Sequence, residues 1–461
     1  MTYEESVRAL LALGRELAAP QQARVQKFGL SNIGTLVEAL GNPHRAAPCV
    51  HIAGTNGKGS TAAMLESILR EAGFRTGLYT SPHLQRINER IRIDGEDISD
   101  EEFAAAWTRV HNVIESLLAV GKLAAHPTYF ECITALAFVA FAEAGVNFAA
   151  YEVGLGGRLD ATNIVEPQVA VVTSIDFDHE SFLGHSIAEI AGEKAGIIKP
   201  GVWVASSVER PEAREVIARR CKEVRARLVE VDTAWRIEDA GVSGGSYRAV
   251  GVPQDSSARI KIEPSLAGRF QIRNALAAAT AGRLLAERGF RITDTAIEQG
   301  IRTARWPGRL ERLRERPAVY VDGTHNPAGA RELLKFWAEN FAGRRILLVY
   351  GAMRDKAVDE IAGLLFPAAD FVIFTQPLQP RAISASLLAE MTAHLAKSSI
   401  VVADPADALE HAIDIASPED AIFATGSLYL VGDLRSYWDR RNTSDVSAAV
   451  LAPPNPLVRR H

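Results

Sequence analysis

A lysine inside a glycine-rich turn is the arrangement in this sequence with the clearest chemistry. The segment from His51 to Thr61 reads His-Ile-Ala-Gly-Thr-Asn-Gly-Lys-Gly-Ser-Thr and lies between an apolar run and an amphipathic helical pattern. Such a turn lets backbone N–H groups approach a phosphate chain closely, and the lysine adds a positive charge. The segment therefore predicts a nucleoside triphosphate site formed by Gly54, Thr55, Asn56, Gly57, Lys58, Gly59 and Ser60.

This turn departs from the common phosphate loop, which reads G-x-x-x-x-G-K-[ST]. Gly54 stands only three positions before Gly57, and Gly59 occupies the place of the hydroxyl that binds the metal. The alternative interpretation is a plain turn before a helix. Because a strand pattern precedes the turn and a helical pattern follows it, the context favours phosphate binding.

Polar side chains also follow two further predicted strands. Glu152 lies at the end of the run 149–153 and precedes a segment with three glycines, and Asp176, Asp178 and His179 follow the run 169–174. Ligands gather at the carboxyl ends of parallel strands, and carboxylates there suit Mg²⁺. Histidine is an unusual Mg²⁺ ligand, so ordinary loop residues remain the alternative interpretation.

Lys194 stands among small and apolar residues, in the run Ala-Gly-Glu-Lys-Ala-Gly-Ile-Ile. Burial of an ammonium group is costly. One interpretation is a lysine whose amine extends to the surface. The other is a modified amine: carbamylation by CO₂ would convert it into an oxygen ligand for a metal.

The second half of the chain has its own polar strand end. The run 319–321 leads into Asp322-Gly-Thr-His325-Asn-Pro, after which a helical pattern begins. Asp322 is suited to bond a ribose hydroxyl and His325 to approach a phosphate. Arg309 presents the forked donor group that suits phosphate.

The elements that must position these residues are strands alternating with helices, which indicates parallel sheets covered on both faces. We predict an α/β fold with two doubly wound domains, the first a large phosphate-loop domain and the second smaller and Rossmann-like. The predicted bounds are 1–302 and 303–441, followed by a disordered tail, 442–461. Residues 230–264 read as a few antiparallel strands. The predicted strands of the sheets are Cys49–Ala53, Ala149–Val153, Val169–Ser174, Val202–Ser206, Val319–Val321, Ile346–Tyr350, Phe371–Thr375, Ile400–Ala403 and Ala421–Ala424.

Composition narrows the class of protein. The 461 residues are 47% hydrophobic and 23% charged with a net charge of -5, as in ordinary soluble proteins, and nothing in the bulk charge indicates nucleic acid binding. The three cysteines lie far apart and fit a reducing compartment. We find no signal peptide or membrane-spanning run, and expect a cytoplasmic monomer that binds neither nucleic acid nor membrane.

Taken together, these motifs resemble the Mur ligase superfamily and, within it, the folylpolyglutamate synthases, including the bifunctional dihydrofolate synthases of bacteria. The resemblance runs in family order from about residue 25 to residue 435. The matching segments are residues 53–61, 79–84, 88–90, 152–163, 173–175, 178–179, 193–197, 307–309 and 322–327.

The resemblance implies an ATP-dependent ligase that joins L-glutamate to a folate, and also to dihydropteroate, through an acyl phosphate. It implies that Lys58 and the loop amides hold the phosphates, and that Lys194, carbamylated, serves one of two Mg²⁺ ions. It makes Lys58, Lys194 and His179 the catalytic set. The implied metal ligands are Ser81, Glu152, His179 and Lys194; the other nucleotide ligands are Asn274, Arg309, Asp322 and His325; the pterin side uses Thr128, Tyr129, Phe130, Glu131, Leu159, Asp160 and Ala161.

Two alternatives stay open at this point. One is another amide ligase of the Mur superfamily, although the many members with an extra domain before the phosphate loop would need more chain ahead of Gly54. The other is an ATP-dependent switch that ligates nothing. A switch would need the phosphate loop but not the conjunction of Glu152, His179 and Lys194.

Overall fold

The structure, a computed structural model, describes residues 1–14, 29–243, 246–354 and 356–451. The chain forms two compact units, Met1–Pro307 and Gly308–His461. The predicted start of the resemblance, about residue 25, and the end of the predicted tail, residues 452–461, lie outside the described residues. Residues 442–451 continue a helix where the sequence suggested a disordered tail.

The first unit is built on one large sheet. Its eight strands are ordered β4-β3-β2-β5-β1-β6-β7-β8, and the neighbours from β2 to β8 are parallel, with β3 and β4 added antiparallel at one edge. The carboxyl ends of β1, β5 and β6 therefore meet at one edge of the sheet. The strands are β1 (Cys49–Ala53), β2 (Thr76–Tyr79), β3 (Ile91–Ile93), β4 (Glu96–Asp97), β5 (Phe148–Glu152), β6 (Val169–Val172), β7 (Trp203–Ser206) and β8 (Arg227–Glu230).

Helices cover both faces of this sheet, as a parallel sheet of apolar strands requires. All five residues of β1 are buried, and side chains from its two faces enter separate apolar clusters. The helices are α1 (Tyr3–Ala12), α2 (Ser31–Ala39), α3 (Lys58–Glu71), α4 (Asp100–Ala119), α5 (Tyr129–Glu143), α6 (Glu180–Leu183), α7 (Ile187–Ala195), α8 (Pro211–Glu223), α9 (Val231–Ala234), α10 (Phe270–Glu287) and α11 (Asp294–Thr303), with short 3₁₀ turns at Pro43–Arg45, Ile87–Arg90 and Ala161–Ile164.

A small antiparallel sheet stands where the sequence predicted one. Its strands, β9 (Trp235–Ser243), β10 (Ser246–Pro253) and β11 (Ile260–Ile262), are ordered β11-β10-β9. Tyr247, Ile260 and Ile262 are buried, and the last two share a core cluster with α3, α10 and α11. The sheet thus extends the core of the first unit.

The second unit contains a six-stranded sheet in the order β12-β13-β17-β14-β15-β16, parallel except at β12. Its strands are β12 (Glu311–Arg314), β13 (Ala318–Val321), β14 (Ile346–Tyr350), β15 (Phe371–Phe374), β16 (Ser399–Val401) and β17 (Ala421–Thr425). Its helices are α12 (Pro327–Asn340), α13 (Val358–Leu365), α14 (Ala385–Thr392), α15 (Pro405–Ile415) and α16 (Leu428–Leu451), with a 3₁₀ turn at Ala393–Leu395.

The predicted fold class, two α/β domains, is confirmed. Each predicted strand is present with its ends moved by no more than two residues, because these strands are buried apolar runs bounded by glycine or polar residues. Within the described part of the chain, no helix has the length and apolar character needed to cross a membrane.

Candidate active site

The glycine turn between β1 and α3 is held in shape by the segment that follows β6. Thr55 N–H donates to the Ser174 carbonyl oxygen at 2.7 Å, and the Thr173 hydroxyl donates to the Asn56 carbonyl oxygen at 2.8 Å. Gly54 has a φ of +154°, and a Cβ there would lie 1.8 Å from the Thr173 hydroxyl oxygen. Only glycine permits this close approach, so the turn is preorganised by its neighbour strand.

The other glycine of the turn meets the helix α10. Gly57 has a φ of +87°, and a Cβ there would lie 2.4 Å from the Asn274 amide oxygen. The Asn274 amide donates to Gln271 at 2.9 Å, and the Gln271 amide donates to the Ser60 hydroxyl at 3.3 Å. The structure therefore brings Asn274, a predicted nucleotide ligand, against the phosphate loop. Gln271 was missed from the sequence, where it is an ordinary helical residue.

Two lysine amines converge on one carbonyl oxygen of the turn. Lys194 Nζ donates to the Gly54 carbonyl oxygen at 2.8 Å, and Lys58 Nζ donates to the same oxygen at 3.1 Å and to that of Thr55 at 3.1 Å. The two amines are thus close neighbours although 136 positions separate Lys58 from Lys194 in the chain. A site with two amine donors beside backbone N–H groups is suited to a polyanion.

The amine of Lys194 is buried, with 4% of the residue exposed. Burial, and then the charge of Lys58, lower its pKa from the usual 10.5 to about 7, against the opposing effect of Asp178 and Asp160. A large fraction of this amine is therefore unprotonated near neutral pH. An unprotonated amine is nucleophilic, which is the property that reaction with CO₂ requires.

Glu152 and Ser81 come together at the ends of β5 and β2. The Ser81 N–H donates to Glu152 Oε2 at 3.1 Å, and Glu152 is 4% exposed. A buried carboxylate beside a hydroxyl-bearing residue is an oxygen donor set of the kind Mg²⁺ prefers.

His179 follows β6 and adopts the left-handed conformation, with a φ of 51°. Its backbone N–H donates to Asp178 Oδ1 at 2.9 Å, and Nε2 of its ring lies 3.8 Å from the same oxygen. The side chain is 23% exposed. Asp178 therefore holds the backbone of His179 at the same edge of the sheet as the phosphate loop.

Asp160, a predicted pterin contact, is fully engaged within the glycine-rich segment after β5. Its carboxylate accepts the N–H groups of Leu155 at 2.9 Å and Thr162 at 3.0 Å, and the Thr162 hydroxyl at 2.5 Å. Burial raises its pKa above the usual value. Asp160 thereby fixes the shape of residues 154–160, the segment that contains Leu159 and precedes Ala161.

A histidine that the sequence did not single out supports this arrangement. His51, in the middle of β1, is fully buried, and its Nε2 lies 2.7 Å from the Thr162 hydroxyl oxygen. Because that hydroxyl donates its proton to Asp160, the imidazole must donate through Nε2. Burial lowers the pKa of His51 to about 3, so the ring is neutral. A histidine within an apolar strand was the available signal.

The predicted pterin segment opens α5. Thr128 is the N-cap, its hydroxyl accepting the Glu131 N–H, while the Glu131 carboxylate accepts the Thr128 N–H at 2.8 Å. This is a capping box, so both side chains have a helix-end role. Phe130 packs against Gly154, where a Cβ would lie 2.4 Å from its ring, and Arg90 stands 5.6 Å above the Tyr129 ring.

In the second unit, the predicted nucleotide ligands gather around Gly323. Asp322 is 4% exposed and accepts the N–H groups of Leu310 at 2.8 Å and Thr324 at 3.0 Å. A Cβ on Gly323 would lie 2.0 Å from Arg309 Nη1, and His325 Nδ1 lies 2.8 Å from the Gly323 carbonyl oxygen. Arg309, Asp322 and His325 thus surround one tight turn after β13.

Comparison with known proteins assigns the class. Residues 52–282 match the Mur ligase middle domain, and residues 308–428 match the Mur ligase, glutamate ligase domain. A dihydrofolate synthase/folylpolyglutamate synthase of Bacillus subtilis is 38% identical over 89% of this chain and 94% of its own length. A folylpolyglutamate synthase of Lacticaseibacillus casei is 35% identical over 94% and 98%.

Solved structures agree with the sequence comparison. A Mycobacterium tuberculosis folylpolyglutamate synthase complexed with ADP superposes with a TM-score of 0.85 at 32% identity, covering 95% of this chain and 98% of the other. The Escherichia coli protein FolC in complex with DHPP and ADP gives 0.82 at 29% identity, covering 96% and 99%. The chain belongs to the folylpolyglutamate synthase/dihydrofolate synthase family of the Mur ligases.

Proposed function

We propose that this chain is an ATP-dependent ligase that joins L-glutamate to the carboxylate of a folate, and that it also accepts dihydropteroate. The main support for the proposal is that the side-chain amines of Lys58 and Lys194 both donate hydrogen bonds to the Gly54 carbonyl oxygen at the phosphate loop. The comparisons supply the reaction class, since relatives matched over nearly their whole length are named as such synthases.

The residues of the loop would bind and orient the nucleotide. Amide N–H groups at the start of α3 and the Lys58 amine would hold the β- and γ-phosphates. The acceptor carboxylate would attack the γ-phosphorus and ADP would leave, which gives an acyl phosphate. The glutamate amine would then attack the acyl carbon and release phosphate. Both steps develop negative charge on oxygen, so fixed positive charge at this site lowers their barriers.

The residues at the sheet edge fit a Mg²⁺ site in donor chemistry. Glu152 and Ser81 offer oxygen and are adjacent, and we assign His179, whose backbone N–H donates to Asp178, to the same ion. When bound, Mg²⁺ neutralises phosphate charge and stabilises the charge that develops in transfer.

We further propose that Lys194 is carbamylated. Its unprotonated amine would attack the carbon of CO₂, forming the N–C bond and releasing one proton, and the product carries a negative charge. The neighbouring Lys58 would favour that charge, and the carbamate oxygens would serve a second Mg²⁺. Acid-labile ¹³C signal from ¹³CO₂, present in the wild type and absent from Lys194→Ala, would support this; its absence from both would refute it.

Arg309, Asp322, His325 and Asn274 would contact the nucleotide, and residues 128–131 and 159–161 would border the pterin. We propose a monomer that works in the cytoplasm without nucleic acid or membrane partners.

The decisive experiment measures ADP release by the full chain with Mg²⁺ and L-glutamate, comparing 7,8-dihydropteroate with tetrahydrofolate. Turnover with both substrates supports a bifunctional synthase, and turnover with tetrahydrofolate alone restricts the chain to glutamate extension. ADP release that does not depend on glutamate, or none with either pterin, would overturn the proposal. Lys58→Ala serves as the inactive control, because it removes the charge held at the phosphate loop.

A further inference from the structure

Two histidines and a glutamate, none of them assigned to ligation, meet where the loop after α4 returns to that helix. His111, Glu115 and His126 each present one ligand atom, and these atoms all lie within 4.8 Å of one another. His111 and His126 are half-buried and Glu115 is exposed. Two imidazoles and one carboxylate form a donor set typical of transition-metal sites.

Local structure explains why these residues meet. His111 and Glu115 stand four positions apart on α4, so they share one face. After α4 ends at Ala119 the chain turns back, with Lys122 N–H donating to the Leu117 carbonyl oxygen at 2.9 Å and Leu123 buried at 4% exposure. This turn returns His126 to the helix it has just left.

The protonation of His126 leaves a nitrogen ready to bind a metal. Its Nδ1 lies 2.8 Å from the Pro127 carbonyl oxygen. A carbonyl can only accept, so Nδ1 carries the proton and Nε2 keeps its lone pair. Metal-binding histidines usually donate their second ring N–H to a carbonyl or carboxylate in this way.

His111 adds an independent observation. Its Nδ1 is buried and has no hydrogen-bond partner among the described residues, and its ring lies 5.7 Å from that of Trp107. A buried ring nitrogen without a partner is costly. Coordination through the ring would fix its tautomer, which no hydrogen bond from the described residues fixes.

The donor set selects the kind of ion. Zn²⁺ binds imidazole and carboxylate at about 2.0–2.2 Å, which places tetrahedral ligand atoms about 3.3 Å apart. The three side chains would therefore close by up to about 1.5 Å, a movement that the exposed Glu115 can make. Mg²⁺ prefers oxygen and octahedral geometry, so the ion used with ATP would not compete here.

We propose that His111, Glu115 and His126 bind one transition-metal dication of the Zn²⁺ class, and that this ion fastens the loop 120–127 to α4. Three protein ligands leave a position for water. His126 lies two residues before Thr128, the N-cap of α5, so the metal would also hold the start of that helix. None of the three ligands is among the residues assigned to the proposed ligase reaction.

The first test is a Zn²⁺ titration of the metal-stripped full chain against a chromophoric chelator, with the visible absorption of Co²⁺ as a second readout. We expect one equivalent to bind. Glu115→Gln and His126→Gln should each weaken binding about tenfold or more, and the exposed site of Glu115 keeps its variant folded. His185→Gln is the matched control, because His185 stands 3.8 Å from Glu180 with its side chain 82% exposed. Equal affinity in all four proteins would overturn the proposal.

The second test asks whether the ion fastens the loop. Lys122 is exposed in this loop, so trypsin can cleave after it, and we expect Zn²⁺ to slow that cleavage severalfold in the wild type but not in His126→Gln. Mg²⁺ at the same concentration should have no effect. Equal cleavage rates with and without bound Zn²⁺ in the wild type would refute the fastening role.

Discussion

The two sheet edges that carry polar residues are stabilised in opposite ways. In the first unit, charged groups lie close together: buried Lys194 beside half-buried Lys58 at the Gly54 carbonyl, and buried Glu152 against the backbone of Ser81. In the second unit, the charge of Asp322 is matched by the backbone N–H groups of Leu310 and Thr324. At the first edge, burial of ionisable groups costs solvation free energy. At the second edge, hydrogen bonds from neighbouring backbone N–H groups compensate the charge of Asp322.

This difference distinguishes residues that take part in the reaction from residues that shape the site. The pKa of the buried Lys194 amine is lowered to about 7 because burial removes the water that would solvate its charge. Strongly shifted pKa values of this kind are typical of groups that act on a substrate. A carboxylate that accepts two N–H bonds in a tight turn is typical of a group that shapes a loop. Replacements at the first edge should therefore reduce turnover, and replacements at the second should reduce stability or nucleotide affinity.

The largest expected effect is that of Lys194→Met on turnover. We expect kcat to fall about 10²–10³-fold, the range for loss of one preorganised electrostatic group, with the melting temperature unchanged or raised because a buried amine is removed. Steady-state ADP release in the presence of glutamate measures this. Lys335→Met, on a lysine whose side chain is 61% exposed, should be neutral. Near-normal turnover in Lys194→Met would remove the distinction between the two edges.

Lys194 should also give the folded state a pH-dependent stability. Its pKa is about 7 when folded against 10.5 ordinarily, so between these values the unfolded chain binds one proton more. Stability should then rise with pH by about 1.4 kcal/mol per unit from pH 7 upward, and below pH 7 this contribution should be constant. Urea unfolding in CO₂-free buffer from pH 7.5 to 9.5 measures the slope.

Lys194→Met is the control for this pH dependence, because it lacks the titrating amine but keeps the packing. The difference in unfolding free energy between the two proteins should change by about 2.7 kcal/mol over two pH units. If the unfolding free energies of the two proteins change in parallel with pH, the amine is protonated in the folded state. Burial of Lys194 would then carry no desolvation cost that distinguishes the first edge from the second.

At the second edge, Asp322→Ala should act on geometry. The buried N–H of Leu310 and the part-buried N–H of Thr324 lose their acceptor, which costs about 2 kcal/mol in all, and the turn that positions Arg309 and His325 relaxes. We expect a lower melting temperature and weaker ATP binding, with kcat at saturating ATP changed much less than in Lys194→Met. Differential scanning fluorimetry and equilibrium nucleotide binding distinguish these effects. A loss of kcat without a loss of stability would contradict the comparison.

The fold and part of the site were predictable because the signals are local. The strand β1 and the turn after it are a buried apolar run followed by glycines, and the small residues around Lys194 made burial one of its two interpretations. The Thr128–Glu131 capping box was readable from its spacing but was taken for a substrate contact alone. The chain formed by His51, Thr162 and Asp160 was not predictable, since its first contact joins residues 111 positions apart.

The smallest effect is expected from Thr128→Ala, which tests whether Thr128 caps a helix, contacts substrate, or does both. Thr128→Ala should cost about 1 kcal/mol of stability, and Ser99→Ala is a matched control because Ser99 and Glu102 form the same capping box at the start of α4. If residues 128–131 border the pterin, only Thr128→Ala should raise the KM for the folate, while both variants lose similar stability. Thr128→Ser keeps the cap and should restore both properties. Equal KM values in Thr128→Ala and Ser99→Ala would assign Thr128 to the helix end alone and withdraw it from the proposed pterin site.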